Sequence, residues 1–295
     1  MLMGLALLGW AYMKADGFGA MLSAKSAFDP GGEKEGEFML YFLPSLTGMV
    51  GFWATLSLNI PDFTRYAKSQ RDQALGQAIG LPFFMTMFAF IGVAVTSATV
   101  VIYGEAIPDP TELAGRMGGG FGVMIAMAAL TIATLSTNIA ANVVSPANAI
   151  MNLAPRKASF RLGGFITAGI GVAILPWKLL ESTDGYIFTW LIGYSALLGP
   201  IGGIVIADYF VVRRTDVDVE GLYRKDGVYW YNRGFNPVAV VALILGVVPN
   251  IPGFLNAAGF SSDVSPLFKS IYTYAWFVGF GISSLVYVLG MKLRR

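Results

Sequence analysis

Seven apolar runs of about 20 residues recur along this chain, at 38–58, 78–103, 121–146, 162–180, 186–211, 237–255 and 270–291, with short polar loops between them. Each is long enough, coiled as a helix, to cross the hydrocarbon core of a bilayer. Inside lipid the backbone must satisfy its own hydrogen bonds, so apolar runs of this length are restricted to helices. The pattern predicts an all-α polytopic membrane helix bundle, one transmembrane domain over residues 1–295 with about eight spans. Residues 1–13 supply the eighth, a partial one, about two thirds of a crossing. A signal peptide is the other reading of that run, but it has no basic leader and no small-residue cleavage site precedes Lys14, which favours a truncated span.

Composition agrees. Apolar residues make up 55% of the chain and charged ones 13%, with a mean hydropathy of +0.63. A soluble domain carries roughly a quarter charged residues. Neither Cys nor His occurs, which removes disulfides, thiolate nucleophiles and the side chain that ordinarily titrates between pH 5 and 8. The net charge of +2 is too small to point to nucleic acid as a partner. No glycine-rich phosphate loop argues for nucleotide-driven pumping, and no nucleophile–base pair argues for an enzyme, so an intramembrane enzyme is the weak rival reading.

The basic residues report orientation instead. Fourteen of the twenty lie in the loops 59–77, 147–161 and 212–236 and in the C-terminal tail, among them Arg65, Lys68, Arg71, Arg156, Arg213, Arg224, Arg294 and Arg295. The alternate loops carry most of the acids, including Asp29, Glu33, Glu105, Asp109 and Glu112. By the positive-inside rule the first set faces the cytoplasm and both chain ends lie inside a cell (inner or plasma) membrane. Tyr and Trp near span ends, such as Trp177, Trp190 and Tyr274, suit interfacial belts.

Polar groups in hydrocarbon are expensive, so the span richest in them is the first candidate for a transport pathway. That span is 121–146, whose centre reads Thr131 to Pro146. At about 100° per residue, Ala133, Ser136 and Thr137 share one face, and Asn138 and Asn142 stack on a roughly opposite one. Hydroxyls beside a small Ala with an approachable carbonyl offer neutral oxygen ligands to a hard cation such as Na⁺. The two carboxamides offer donors and acceptors to a planar polar solute. The competing reading is that these small and hydroxyl-bearing residues only glue helices together. No Asp, Glu or Lys lies near the middle of any span, so a proton has no evident carrier, and Na⁺ is the favoured coupling ion.

The span 38–58 holds Pro44, Gly48, Gly51 and Phe52-Trp53. These punctuate either close helix packing or a local break that lines a cavity, beside which the Trp53 indole would stack on a flat ring. Beyond it, Asp62 and Arg65 read as a helix cap and a cytoplasmic anchor. Gly76 to Gly80 and Gly199 to Gly203 read as close-approach positions or hinges. Asn236-Pro237 reads as a helix start, and Gly227 to Tyr231 as a short hairpin.

The segment Asn59-Ile-Pro-Asp-Phe-Thr-Arg-Tyr66, following the Trp-bearing span and taken with Ala133 to Asn142, resembles the nucleobase:cation symporter-1 family, in particular its bacterial allantoin, uracil and hydantoin branch. The resemblance runs over essentially the whole chain. It implies the amino acid-polyamine-cation superfamily fold, of which this chain would hold the second inverted repeat and two C-terminal helices, with the first four helices of the family missing. It further implies that Trp53 stacks on the substrate ring, that Asn142 hydrogen-bonds it with Asn138 in support, and that Ala133, Ser136 and Thr137 bind the ion. The implied function is symport of a nucleobase, allantoin, uracil or hydantoin with a cation, Na⁺ favoured, without a cofactor. The alternatives are a passive channel or facilitator and a truncated remnant without transport.

Overall fold

The computed structural model describes residues 1–23, 25–179, 181–182 and 185–294. Leu180, at the end of the apolar run 162–180, and Arg295, in the basic tail, lie outside the described residues. The described chain is built from helices, in the order α1 (Leu2–Lys14), α2 (Phe18–Leu22), α3 (Phe38–Asn59), α4 (Pro61–Thr64), α5 (Gln70–Tyr103), α6 (Pro110–Arg116) and α7 (Gly120–Asn138). A π-helical turn, Ile139–Val143, joins α7 to α8 (Val144–Leu153), followed by α9 (Phe160–Ala173) and α10 (Pro176–Leu179). A second π segment, Gly185–Leu191, leads into α11 (Ile192–Ile206) and a third, Ala207–Val212, leaves it. The chain closes with α12 (Pro237–Val247), α13 (Ile251–Ala257), α14 (Pro266–Thr273) and α15 (Ala275–Leu293). Among the described residues, seven helical stretches are long and apolar enough to cross a membrane.

The chain divides into two compact units. The first comprises Met1–Glu35 and Pro61–Ile170. Here α5 begins at Gln70 because Ser69 caps it, its side chain accepting from the Asp72 amide at 3.1 Å. It stops at Gly104, whose φ of 81° only glycine adopts without strain. Packed on α5, the helices α1 and α2 enclose Ala11, Met21, Ile91, Ala94, Ala98 and Leu113. Ala11, Ala15, Ala94 and Ala98 in this contact let the helices approach closely, as is common between helices in lipid. Thr99 Oγ1 accepts from the buried Ile107 amide at 2.8 Å and so ties the following loop to α5.

The second unit comprises Gly36–Ile60 and Gly171–Arg295. The helix α11 crosses α15 so closely that a Cβ on Gly199 would stand 2.5 Å from the Trp276 carbonyl oxygen, and one on Gly203 equally near that of Phe280. Pro200, Gly246 and Gly279 meet where α11, α12 and α15 cross, and Ser283 Oγ donates to the Pro200 carbonyl at 2.9 Å. Asn236 caps α12 by accepting from the Val238 amide, with Pro237 in the first turn.

Two readings need correction, and for α3 the structure decides between packing and a break. The expected hairpin at Gly227 to Tyr231 is a series of turns, and a single bridge joins Asn232 to Phe235. Pro44, Gly48 and Gly51 do not break α3, which runs unbroken from Phe38 to Asn59. Instead Gly48 and Gly51 face Leu191 and Ser195, and Ser195 Oγ donates to the Thr47 carbonyl at 3.0 Å. Gly76 and Gly80, by contrast, have nothing within 4 Å of where a Cβ would stand, so they make no close helix contact.

Candidate functional site

The polar span is one helical rod, Gly120–Leu153, whose ladder changes register at its centre. Pro146 supplies the cause. It has no N–H to give the carbonyl four residues back, which belongs to Asn142, and its ring crowds that carbonyl. The chain accommodates this by widening the preceding turn, so that the Val144 amide donates to the Ile139 carbonyl, five residues away. Such π turns relieve a local conflict and leave a backbone carbonyl without its helical donor. The sequence carried the signal in Pro146, four residues after Asn142, but reading the span as a regular helix missed it.

This wide turn follows Asn138 and contains Asn142. Asn142 Nδ2 donates to Asn138 Oδ1 at 2.6 Å. The pair leaves Asn138 Nδ2 as a donor and Asn142 Oδ1 as an acceptor with no other hydrogen bond among the described residues. A donor beside an acceptor is the complement of the N–H and C=O edge of a ureide or pyrimidine ring.

On the other flank, Ser136 Oγ donates to the Ala133 carbonyl at 3.0 Å, as Thr131 Oγ1 does to the Met127 carbonyl at 2.8 Å. Two neutral oxygens 3.0 Å apart form an edge that a hard cation, bound by oxygen at about 2.3–2.6 Å as Ca²⁺ is, can span. Thr137 follows directly on the same turn. None of these groups titrates, and the described residues hold no cluster of three His, Cys, Asp or Glu that would suit a metal ion. The Ala133 carbonyl and the Ser136 hydroxyl are neutral oxygens that fit one face of a cation's shell.

All five residues, Ala133, Ser136, Thr137, Asn138 and Asn142, are exposed on their helix. Trp53 belongs to the second unit, half-buried on α3. Its ring meets Phe52 edge-on, with centroids 5.4 Å apart at 80°. Gly51, pressed against Ser195 and 2.8 Å from the Leu191 carbonyl by its absent Cβ, fixes the rotation of α3 and with it the direction of the indole. The structure thus brings Asn138 to Asn142 and Ala133 to Ser136, while Trp53 stands on a separate unit.

Asp62 does not cap a helix through its own backbone neighbours. It lies in the first turn of α4 and accepts from Asn148 Nδ2 at 2.9 Å. Asn148 is 5% exposed, on α8. Sequence reasoning missed Asn148, since nothing local distinguishes it from other polar residues near a span end. Arg65 lies over the Tyr66 ring at 5.1 Å.

Comparison with known proteins places this geometry in context. The profile of the permease family for cytosine/purines, uracil, thiamine and allantoin matches residues 1–279. The chain is 48% identical over 288 residues to the purine-uracil permease NCS1 of Arabidopsis thaliana, covering 97% of this chain and 47% of that protein. It is 39% identical over 289 residues to the allantoin permease of Bacillus subtilis (strain 168), covering 98% of this chain and 56% of that one. The chain spans about half the length of the curated relatives it matches. Among solved structures, Mhp1, a nucleobase-cation-symport-1 family transporter in a closed conformation with bromovinylhydantoin bound, is 25% identical with a TM-score of 0.72, covering 99% of this chain and 59% of that one. An inward-facing conformation of Mhp1 gives a TM-score of 0.68 at the same identity, covering 99% and 58%.

Proposed function

The chain belongs to the permease family for cytosine/purines, uracil, thiamine and allantoin, and from that premise we propose that it is a secondary transporter in which the helix 120–153 is the shared wall between a ring-shaped solute and a coupling cation. The substrate class is a nucleobase or ureide such as allantoin, uracil or hydantoin. The observation that carries this reading is the carboxamide pair Asn138–Asn142, held at 2.6 Å across a turn that Pro146 forces open. It presents one donor and one acceptor at the depth where a spanning helix is irregular, and irregular backbone inside a membrane is tolerated where it lines a cavity.

In this account Asn142 reads the N–H/C=O edge of the ring and Asn138 orients Asn142. Trp53 supplies a flat apolar face for the ring to stack on. The Ala133 carbonyl and the Ser136 and Thr137 hydroxyls hold part of the shell of Na⁺. Because no side chain among them titrates, Na⁺ and not a proton is the coupling ion. The distribution of basic residues supports an orientation with 59–77, 147–161 and 212–236 cytoplasmic in the cell membrane. The whole of residues 1–295 acts as one transmembrane domain. The names of the relatives, all permeases, support transport and not an enzymatic reaction.

The test is uptake of radiolabelled allantoin, uracil and hydantoin, with and without Na⁺, by cells carrying the gene with its native flanking sequence. Asn142→Ala is expected to abolish uptake at unchanged membrane abundance. Uptake equal to the wild type would remove the substrate role of Asn142, and flux insensitive to the Na⁺ gradient would remove the coupling.

A further inference from the structure

At one end of the second unit, two spans stop together. The stretch Gly185–Val212 ends beside the C-terminal end of Ala275–Leu293, and the loop after Val212 folds back over both. Between them lies a cavity of about 610 Å³ lined by Val212, Arg213, Val228, Tyr231, Met291 and Arg294. The lining is divided by chemistry. Val212 and Met291 come from the last turns of the two spans, and Arg213, Tyr231 and Arg294 come from just beyond them or from the loop. The cavity therefore sits where hydrocarbon gives way to headgroups, with Val212 and Met291 on the membrane side and the guanidinium and phenol groups, together with Val228 of the loop, on the other.

The two arginines are held differently. Arg213 Nε donates to Asp208 Oδ2 at 2.7 Å, Nη2 donates to the Tyr231 hydroxyl, and the guanidinium lies 4.2 Å from the Tyr229 ring centroid. Its side chain is only 16% exposed. The other oxygen of Asp208 accepts from the Tyr287 hydroxyl at 2.6 Å, so the carboxylate is fully engaged within the protein. Arg294 lies 5.4 Å from the Tyr231 ring centroid and enters no ion pair among the described residues. Asp218 and Asp226 in the loop are taken up by the Gly221 amide and by Arg224, and neither lines the cavity. With Asp208 offset by Arg213, the Arg294 charge is left for an external anion, and Arg213, which also lines the cavity, adds a second guanidinium held in a rigid frame.

We propose that this cavity binds the phosphate of an anionic phospholipid, with Arg294 and Arg213 on the phosphate oxygens and the glycerol and upper acyl carbons on Val212 and Met291. Arg presents a planar fork of donors that matches phosphate, and basic pockets between spanning helices at the cytoplasmic level select acidic headgroups. A free phosphate would leave the apolar floor wet and uncovered. The occupant is therefore a lipid, and its acyl chains run along the exposed Phe210, Val211 and Leu289. This inference rests on the chain being embedded in a membrane with the 212–236 loop on its cytoplasmic side; it does not rest on the transport reading.

The experiment is native mass spectrometry of the purified 295-residue chain in mild detergent, titrated with phosphatidylglycerol or phosphatidylcholine. The wild type is expected to retain phosphatidylglycerol with about fivefold preference, one guanidinium's worth of attraction to acidic lipid. Arg294→Gln is expected to erase that preference, while Lys225→Gln, on the 212–236 loop but outside the cavity, keeps it. Equal retention of the two lipids by the wild type would overturn the proposal without any variant, as would an Arg294→Gln protein that still prefers phosphatidylglycerol. Displacement of the lipid by millimolar inorganic phosphate would overturn it in favour of a soluble anion.

Discussion

Asn148 donates from its buried amide to a carboxylate oxygen of Asp62 at 2.9 Å, and this bond fastens the signature turn to the same helical rod that carries Asn142. Asp62 sits in the Asn59-to-Tyr66 segment that carries the sequence resemblance, yet its partner lies 86 residues away. The bond therefore gives the segment a physical reason: it holds α8 from outside, next to the turn that Pro146 distorts.

Removing that acceptor should show in stability. Asp62→Ala leaves Asn148 Nδ2 buried without a partner and is expected to destabilise the first unit by about 1–3 kcal/mol. Asp62→Asn, which keeps an oxygen in place, should recover most of the loss. Thermal unfolding of the detergent-solubilised protein measures both.

Glycine substitutions should change sign with position. Gly51→Ala places a methyl group on Ser195 Oγ and 2.8 Å from the Leu191 carbonyl, which overpacks α3 against α11 at about 1–3 kcal/mol. Gly76→Ala meets open space and removes a helix-interior glycine, so it is expected to stabilise by about 0.5–1 kcal/mol. Melting temperatures of the two variants should move in opposite directions from the wild type.

Pro146→Ala restores the missing amide. The new N–H is expected to donate to the Asn142 carbonyl, convert the wide turn to a regular one and rotate Asn138 and Asn142 relative to α8. Hydrogen exchange should show added protection at residue 146 and its neighbours, and substrate uptake should fall by about tenfold or more at unchanged abundance, the loss expected from displacing a positioned group by about 1 Å.

A pH effect is expected away from the membrane. Asp109 caps α6 by accepting from the Thr111 amide at 2.7 Å, and this bond, with the Thr111 side chain, holds its carboxyl below the ordinary 3.8. A depressed carboxyl contributes stability that is fully present above pH 3.8 and is lost as pH falls through its lowered folded value. Helicity over 110–116 should therefore persist at pH 5 and fray in strong acid. Asp109→Asn, which caps without titrating, should remove the dependence, as followed by hydrogen exchange of the Thr111 amide.

What could be read from residues alone depended on whether the signal was local. Apolar run length marked the helices of a membrane bundle, and Asn236-Pro237 marked the start of α12, because both effects act within one turn or one span. The start of α5 at Gln70 was less legible, since polar residues 70–77 extend a capped helix beyond its apolar stretch. The wide turn at 139–143 was written in the Pro146 to Asn142 spacing but is invisible to an analysis by periodicity. Asn148, Ser195 and the Arg213–Asp208–Tyr287 network were beyond reach, because their partners come from distant helices. The unbroken course of α3 shows the converse: Pro44, Gly48 and Gly51 fit a break equally well until Leu191 and Ser195 are seen packed against the two glycines.

The central claim is that one helix serves an ion on one flank and a ring on the other, and substrate binding titrated against Na⁺ in wild type, Ser136→Ala and Asn142→Ala tests it most directly. The account predicts a clean separation. Ser136→Ala should raise the Na⁺ concentration needed for half-maximal binding while substrate affinity at saturating Na⁺ is preserved, and Asn142→Ala should weaken the substrate by about tenfold or more at every Na⁺ concentration. Identical responses of the two variants, or binding indifferent to Na⁺ in the wild type, would contradict it.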